Sequence, residues 1–236
     1  MGGGTQTEHA KWHTVNDIQQ ALGVSREDAQ DFYDAVNGGM DGGFTRGWDT
    51  AIRAYQQGMS PDEVIDASDA RDIVASKYNG DKDAYIRDVA KKATDCERLI
   101  DASPKWNGSE LMRGFHDMPQ DAIDALTDPN AMINLNAGTA SWTTSEGVAS
   151  VFAETYAHPE KGLVAHVRGD GGMRATSIEG ISAFNHYDDG NEGSEWEVLA
   201  SQKNAYRCVR TWHDPDGTTH AEYEVVSTNH NWKKKK

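Results

Sequence analysis

Cysteine is scarce in this 236-residue chain: Cys96 and Cys208 are its two cysteines, far apart and outside any Cys-x-x-Cys pair. A disulfide framework is therefore unsupported, and a reducing compartment fits better. No run of about 18 apolar residues occurs, so no segment reads as a transmembrane helix and no membrane partner is expected. Positive charge is in deficit, 23 Lys and Arg against 38 Asp and Glu, and the net charge is −15. Four of those positive charges form the terminal run Lys233–Lys236. Non-specific nucleic-acid affinity is almost wholly electrostatic, so nucleic acid is a disfavoured partner. Walker, Rossmann and HExxH patterns are missing. The nine histidines lack metal-ligand spacing apart from His9 and His13 near the N-terminus, where no further ligand is evident, so no metal is expected. The opening Met1–Gln6 has Gln6 where a myristoylation signal needs Ser or Thr. With no targeting segment visible, the expected location is cytoplasmic.

What remains is an ordinary globular composition, 37% hydrophobic and 26% charged, in a chain long enough to bury a core without staples. The first third reads helical. Ile18, Ala21 and Leu22 precede a helix-stopping Gly23, and Ser25 opens a helix whose Ala29, Phe32, Tyr33 and Val36 share one face. The intervening Ala-Leu-Gly-Val-Ser resembles a helix-turn-helix joint, which in so acidic a setting reads as packing. Asn37–Gly43 is a glycine-rich loop, and a further helix starts near Trp48. Ser60-Pro61-Asp62-Glu63 combines an N-cap serine, Pro at the first helical position and Glu at the third. Ile86, Val89, Ala93, Cys96, Leu99 and Ile100 form another apolar stripe, on which Cys96 reads as a small buried hydrophobe.

From about residue 109 the texture changes to strands: Glu110–Phe115, Gly162–Arg168, Trp196–Ala200, and a terminal hairpin of Ala205–Trp212 and Thr219–Val226. Helices first and strands later predict an α+β fold. The expected organisation is a tail over 1–13, a single domain over 14–228 and a basic tail over 229–236. Within the domain, a helical lobe (14–105) precedes a β-rich core (106–228).

Three short segments carry chemistry. Leu111-Met112-Arg113-Gly114-Phe115 places an arginine before a glycine on a strand. Ala140-Ser141-Trp142-Thr143-Thr144-Ser145-Glu146 is a hydroxyl cluster running into Val148-Ala149-Ser150-Val151-Phe152-Ala153. Glu195-Trp196-Glu197-Val198-Leu199 holds two carboxylates two apart, which on a strand face the same side. In that order, Arg113 followed by Ser141 and then by Glu197, they resemble the Arg–Ser–Glu clade of mono-ADP-ribosyltransferases, a group with bacterial toxin and phage members. Asp31-Phe32-Tyr33 and Trp48-Asp49-Thr50-Ala51-Ile52-Arg53 look like that family's early helices, and Arg98–Ala102 like the helix ahead of its arginine.

The resemblance implies an ADP-ribosyltransferase-like split β-core with an N-terminal helical lobe, and NAD as a substrate. It implies an NAD site at Arg113, Gly114, Ser141, Trp142, Thr143 and Glu197. Arg113 is suited to a pyrophosphate by its planar, bidentate cation. Ser141 would support the nicotinamide pocket and orient Glu197; a shifted register, Thr143-Thr144-Ser145, would give Thr143 that role. Ser141-Trp142-Thr143 is favoured because it leaves Ser145 free to cap the following helix. Glu197 matches the catalytic carboxylate, which stabilises an oxocarbenium-like ribose as nicotinamide leaves. Glu195 matches the residue that orients the acceptor, and Glu-x-Glu in this family goes with arginine acceptors. Substrate recognition is expected from Phe184, Tyr187 and Glu195, in an acidic loop suited to a basic protein partner. The implied activity is transfer of ADP-ribose from NAD to protein arginine, with NAD glycohydrolysis as a side activity. The alternatives are transfer to nucleic acid or another side chain, or a catalytically silent phage-associated module of the same fold.

Overall fold

The computed structural model describes residues 12–37, 48–154, 161–181 and 197–232. Several of its helices begin where a side chain satisfies the free backbone groups. Thr14 makes a capping box with Asp17 to open α1 (Val15–Leu22), and Gly23, at φ 62°, closes it in the left-handed region. Ser25 caps α2 (Arg26–Val36), and Ser60 with Pro61 and Glu63 starts α4 (Pro61–Ala67). Between them lies α3 (Trp48–Gln56); α5 (Arg71–Lys77) and the long α6 (Lys82–Asp101) follow. Ile18, Phe32, Val36, Ile52, Val89, Cys96 and Leu99 are fully enclosed and form the core of this lobe.

One polar side chain is built into that core. Lys92 of α6 is almost wholly buried, bonds Asp31 at 2.9 Å and Asp88 at 2.7 Å, and lies 4.3 Å from the centre of the Trp48 ring. Its aliphatic stem and charge thus seat the first residue of α3. That seating fixes where the rest of α3 points.

The α+β order holds, with the helical lobe preceding a seven-stranded sheet. The strands are β1 (Leu111–Met118), β2 (Ala140–Thr143), β3 (Lys161–Val167), β4 (Ala175–Ser177), β5 (Glu197–Ala200), β6 (Ala205–His213) and β7 (Thr219–Ser227). Their spatial order is β4-β5-β2-β1-β3-β7-β6. β3 and β7 pair in parallel, while β1–β3 and the β6–β7 hairpin are antiparallel. The seam between β1 and β2 is joined at a single pair, Met112 with Thr143. There the sheet parts into two halves, β4-β5-β2 and β1-β3-β7-β6. Helix α7 (Gln120–Thr127) follows β1, and α8 (Glu146–Phe152) follows β2.

The lobes are fastened close to this seam. Glu97 of α6 accepts hydrogen bonds from Thr139 Oγ1 (3.1 Å), Ser201 Oγ (2.8 Å) and the Gln202 amide (3.1 Å). Gln56, at the end of α3, accepts from the Thr139 amide at 2.6 Å and donates to its hydroxyl at 3.1 Å. Helix α6 therefore grips the chain just before β2 and just after β5, and α3 grips it just before β2.

The structure departs from the sequence reading at several elements. Helices α5 and α7 carry no side-chain N-cap, so the signal that marks α2 and α4 is missing from them. Strand β4 has three residues, too few for an alternating pattern to show. Trp12, placed in the N-terminal tail by sequence, is buried in the helical core and donates to Thr176 Oγ1 at 2.9 Å. At the other end, the His230 amide bonds Lys203 O and the Trp232 indole bonds Asn204 O, so the chain packs on past residue 228.

Candidate active site

A cavity of about 610 Å³ opens at the β1–β2 seam. Arg113 and Gly114 line it from β1, Ser141, Trp142 and Thr143 from β2, Glu197 from β5, and Asp49 and Arg53 from α3. Three segments separated by 28 and 56 residues in sequence are thus brought to one space. Its size suits a ligand of several hundred daltons.

Thr143 and Glu197 pair across β2 and β5, and residues two apart on a strand share a face, so Ser141 lies on the same face as Glu197. The Ser141 hydroxyl donates to Glu197 Oε1 at 2.6 Å, and only 2% of Glu197 is exposed. The carboxylate is therefore held in one orientation at the cavity wall. Ser145 accepts from the Val148 amide and caps α8, and Thr143 Oγ1 accepts from the Ser145 amide at 3.0 Å. Trp142 lines the cavity but is anchored in the β-core: its indole donates to Asn136 Oδ1 at 2.9 Å and stacks on Tyr206.

Arg113 is the least satisfied group. Its Nη1 is enclosed and has no hydrogen-bond partner, and its guanidinium lies 5.1 Å from the centre of the Phe115 ring. Burial, and then the charge of Arg53, push its pKa down to about 10, against the opposing pull of Asp49 and Tyr206. A guanidinium held at such a disadvantage gains from any negative charge brought beside it.

Gly114 has a different part. A Cβ built there would stand 2.1 Å from Ala149 O and 2.7 Å from both Ala153 N and Phe152 C, all backbone atoms of the α8 segment. The missing side chain is what lets α8 lie against β1. Gly114→Ala should therefore displace α8 and lower stability by about 1–3 kcal/mol or more. Urea denaturation of the two proteins measures this; an unchanged midpoint would show that α8 shifts freely.

Two residues of this site had no role assigned from sequence. Asp49 is buried, and its Oδ2 bonds Arg53 Nη2 at 2.9 Å across one turn of α3. Asp49 Oδ1 and Arg53 Nε have no partner. Burial raises the Asp49 pKa, while Arg53 and Arg113 pull it back. An acid and a base four apart on a short helix was the available signal. It reads equally well as a solvated surface pair.

Glu195, Phe184 and Tyr187 fall within residues 182–196, outside the described residues, as do His9, residues 38–43 of the glycine-rich loop and Lys233–Lys236. Cys96 is fully buried, and burial with the nearby Glu97 and Asp95 charges pushes its thiol well up, so it is a poor nucleophile. His166 and His220 bond each other at 2.9 Å under Trp212, and His220 reaches Asp214 at 3.0 Å. Among the described residues no group of three or more His, Cys, Asp or Glu could hold a metal ion, and no helix is long and apolar enough to cross a membrane.

No protein-family model matches the chain, and no curated protein matches it. Among solved structures it is similar to exoenzyme S from Pseudomonas aeruginosa, in complex with human 14-3-3 protein beta and bound to carba-NAD, at 15% identity over 90% of this chain and 88% of that one, with a TM-score of 0.48. It is similar to C3stau2 from S. aureus with NAD at 11% identity over 94% of each chain, TM-score 0.49. A third is Vis toxin, an ADP-ribosyltransferase from Vibrio splendidus, at 15% identity over 90% of this chain and 86% of that one, TM-score 0.40. These likenesses concern the fold at low identity.

Proposed function

We propose that the chain is an NAD-dependent mono-ADP-ribosyltransferase of the Arg–Ser–Glu type that modifies arginine on a protein. The carrying observation is the pairing, in one cavity, of an arginine with an unpartnered buried nitrogen and a buried glutamate held by a serine. Arg113 would take the pyrophosphate of NAD, with Arg53 beside it on α3. A guanidinium recovers in charge-assisted hydrogen bonds to phosphate what it lost on burial.

The reaction breaks the bond between the nicotinamide nitrogen and ribose C1′, and the bonding pair leaves with nicotinamide. Positive charge develops on C1′ and the ring oxygen. Glu197, fixed by Ser141, is an anion placed in advance for that charge and needs no reorganisation during the step. A guanidine nitrogen of the acceptor then bonds C1′ and loses a proton. An arginine is protonated at neutral pH, so attack requires a carboxylate that orients the side chain and takes that proton. Glu195 fills this role in the proposal, on its place two residues before Glu197. Phe184 and Tyr187 belong to the segment that would meet the acceptor. Water in place of the acceptor gives hydrolysis of NAD.

The test separates these steps. Purified protein is incubated with NAD, with and without an arginine-rich acceptor, and released nicotinamide and labelled acceptor are measured. Release that rises with acceptor, and a label removed by neutral hydroxylamine, are expected. Glu195→Gln should keep most of the hydrolysis and lose transfer by about 10²-fold or more, in the range for removing a general base. A hydroxylamine-resistant product would move the target away from arginine. Absence of nicotinamide release under every condition would leave NAD binding without turnover.

A further inference from the structure

The bond between Ser141 and Glu197 rests on one short ladder. Strands β2 and β5 have four residues each and pair from Ala140 with Ala200 to Thr143 with Glu197. On its other side β2 meets β1 at a single pair, so β1 does little to fix its register. A slip of one residue would turn Ser141 to the face opposite Glu197. At the Ala140–Ala200 end, the ladder is closed by a side chain from the helical lobe. Glu97 Oε1 accepts from Thr139 Oγ1, just before β2, and from the Gln202 amide, just after β5, each at 3.1 Å. Its Oε2 accepts from Ser201 Oγ at 2.8 Å, and Arg174 Nη2 stands 3.7 Å away. Gln56 holds Thr139 and not β5, while Asn136 joins Trp142 to Ser201 O from within the β-core. Glu97 thus ties the two strands to each other and to α6, from a place outside the lining of the cavity.

We propose that Glu97 is a positioning residue for Glu197, holding β2 and β5 in the register that lets the Ser141 hydroxyl fix that carboxylate. The inference rests on the reading of Glu197 given above. Glu97 touches no reacting atom and acts through the ladder alone. A carboxylate suits the task because one oxygen accepts from both chains while the other takes a third donor. Those donors sit at an enclosed junction, with Thr139 and Ser201 both buried. Bond cleavage is sensitive to such a register, since a displacement of about 1 Å at a reacting group can cost about 10²-fold in rate. Arg113 of β1 and Arg53 of α3, the groups assigned above to the pyrophosphate, are not on this ladder. Loosening it should therefore slow the chemistry and spare NAD binding. A residue that merely stabilised the fold would act on every strand alike.

The experiment measures nicotinamide release and amide hydrogen exchange on the full chain, for wild type, Glu97→Ala, Glu97→Gln, Ser141→Ala and the Glu97→Ala, Ser141→Ala double variant. Glu97→Ala should lower kcat by about tenfold or more, with the KM for NAD within about threefold of wild type. Glu97→Gln keeps one oxygen for Thr139 and Gln202 and turns an amide toward Ser201, so it should restore kcat to within about threefold. Adding Glu97→Ala to Ser141→Ala should slow release by less than about threefold further, because the bond through which Glu97 acts is already gone. Exchange protection in Glu97→Ala should fall by about tenfold or more over 140–143 and 197–200 and hold in the β6–β7 hairpin. A wild-type kcat in Glu97→Ala, effects that multiply in the double variant, or protection lost evenly along the sheet each overturn the proposal. If Glu97→Ala does not fold, Thr139→Val removes the hydroxyl bonded to Oε1 and is judged by the same split between kcat and KM. A wild type that releases no nicotinamide defeats the transferase reading, and exchange over the two segments still decides whether Glu97 holds the ladder.

Discussion

Glu197→Gln is expected to lower nicotinamide release from NAD by at least about 10²–10³-fold, the range found when one preorganised electrostatic group is removed from a transition state. The substitution keeps the side chain's shape and leaves an oxygen able to accept from the Ser141 hydroxyl, which bonds Glu197 Oε1 at 2.6 Å. It also removes a carboxylate that is 98% shielded, since 2% is exposed. Folding and NAD affinity should therefore change little, while the charge that meets the developing cation on ribose is gone. Both hydrolysis and transfer must fall together, because both pass through the same bond cleavage. That separates Glu197 from Glu195, whose loss should affect transfer alone. Steady-state release, with NAD affinity measured separately, gives the answer. A variant that binds NAD and releases nicotinamide at the wild-type rate would remove Glu197 from the chemistry.

The sequence made different parts of this molecule legible for different physical reasons. Helices α2 and α4 could be read because Ser25 and Ser60 cap them, and α6 because its apolar stripe runs from Ile86 to Ile100. The β6–β7 hairpin showed itself by two β-rich runs around a turn containing Gly217. Strand β2 did not: Ala140–Thr143 is four residues long, and its hydroxyls read as part of a cluster running into a helix. Its register against β5, which puts Ser141 and Glu197 on one face, depends on pairing between segments 56 residues apart. No local pattern encodes that pairing. The resemblance to a family named the arginine, serine and glutamate, while Asp49 and Arg53 took part only as a helix that looked familiar. Their place in the cavity follows from Lys92 under Trp48 and from Gln56 on Thr139, contacts that spacing in the sequence does not announce.

Arg113→Met should change stability and binding in opposite directions. The native guanidinium has an enclosed nitrogen with no partner, and burial together with Arg53 depresses its pKa to about 10. Because the folded pKa lies below the unfolded one, the folded state holds this proton less firmly. The penalty is present in full at neutral pH and fades only as pH rises above about 10, toward the unfolded pKa. Methionine has a similar length, fills the space against Phe115 and carries no charge to desolvate. Stability at neutral pH should rise by about 1–3 kcal/mol, in the range seen when buried charges give way to apolar side chains. Affinity for NAD should fall by about 10- to 100-fold or more, the equivalent of one or two charge-assisted hydrogen bonds. Urea denaturation and dinucleotide titration on the same preparation measure the two quantities. A variant that lost stability together with affinity would mark Arg113 as a structural residue of the β1–β2 seam. A variant more stable and blind to NAD would show that the fold carries the arginine at its own expense, as binding sites do.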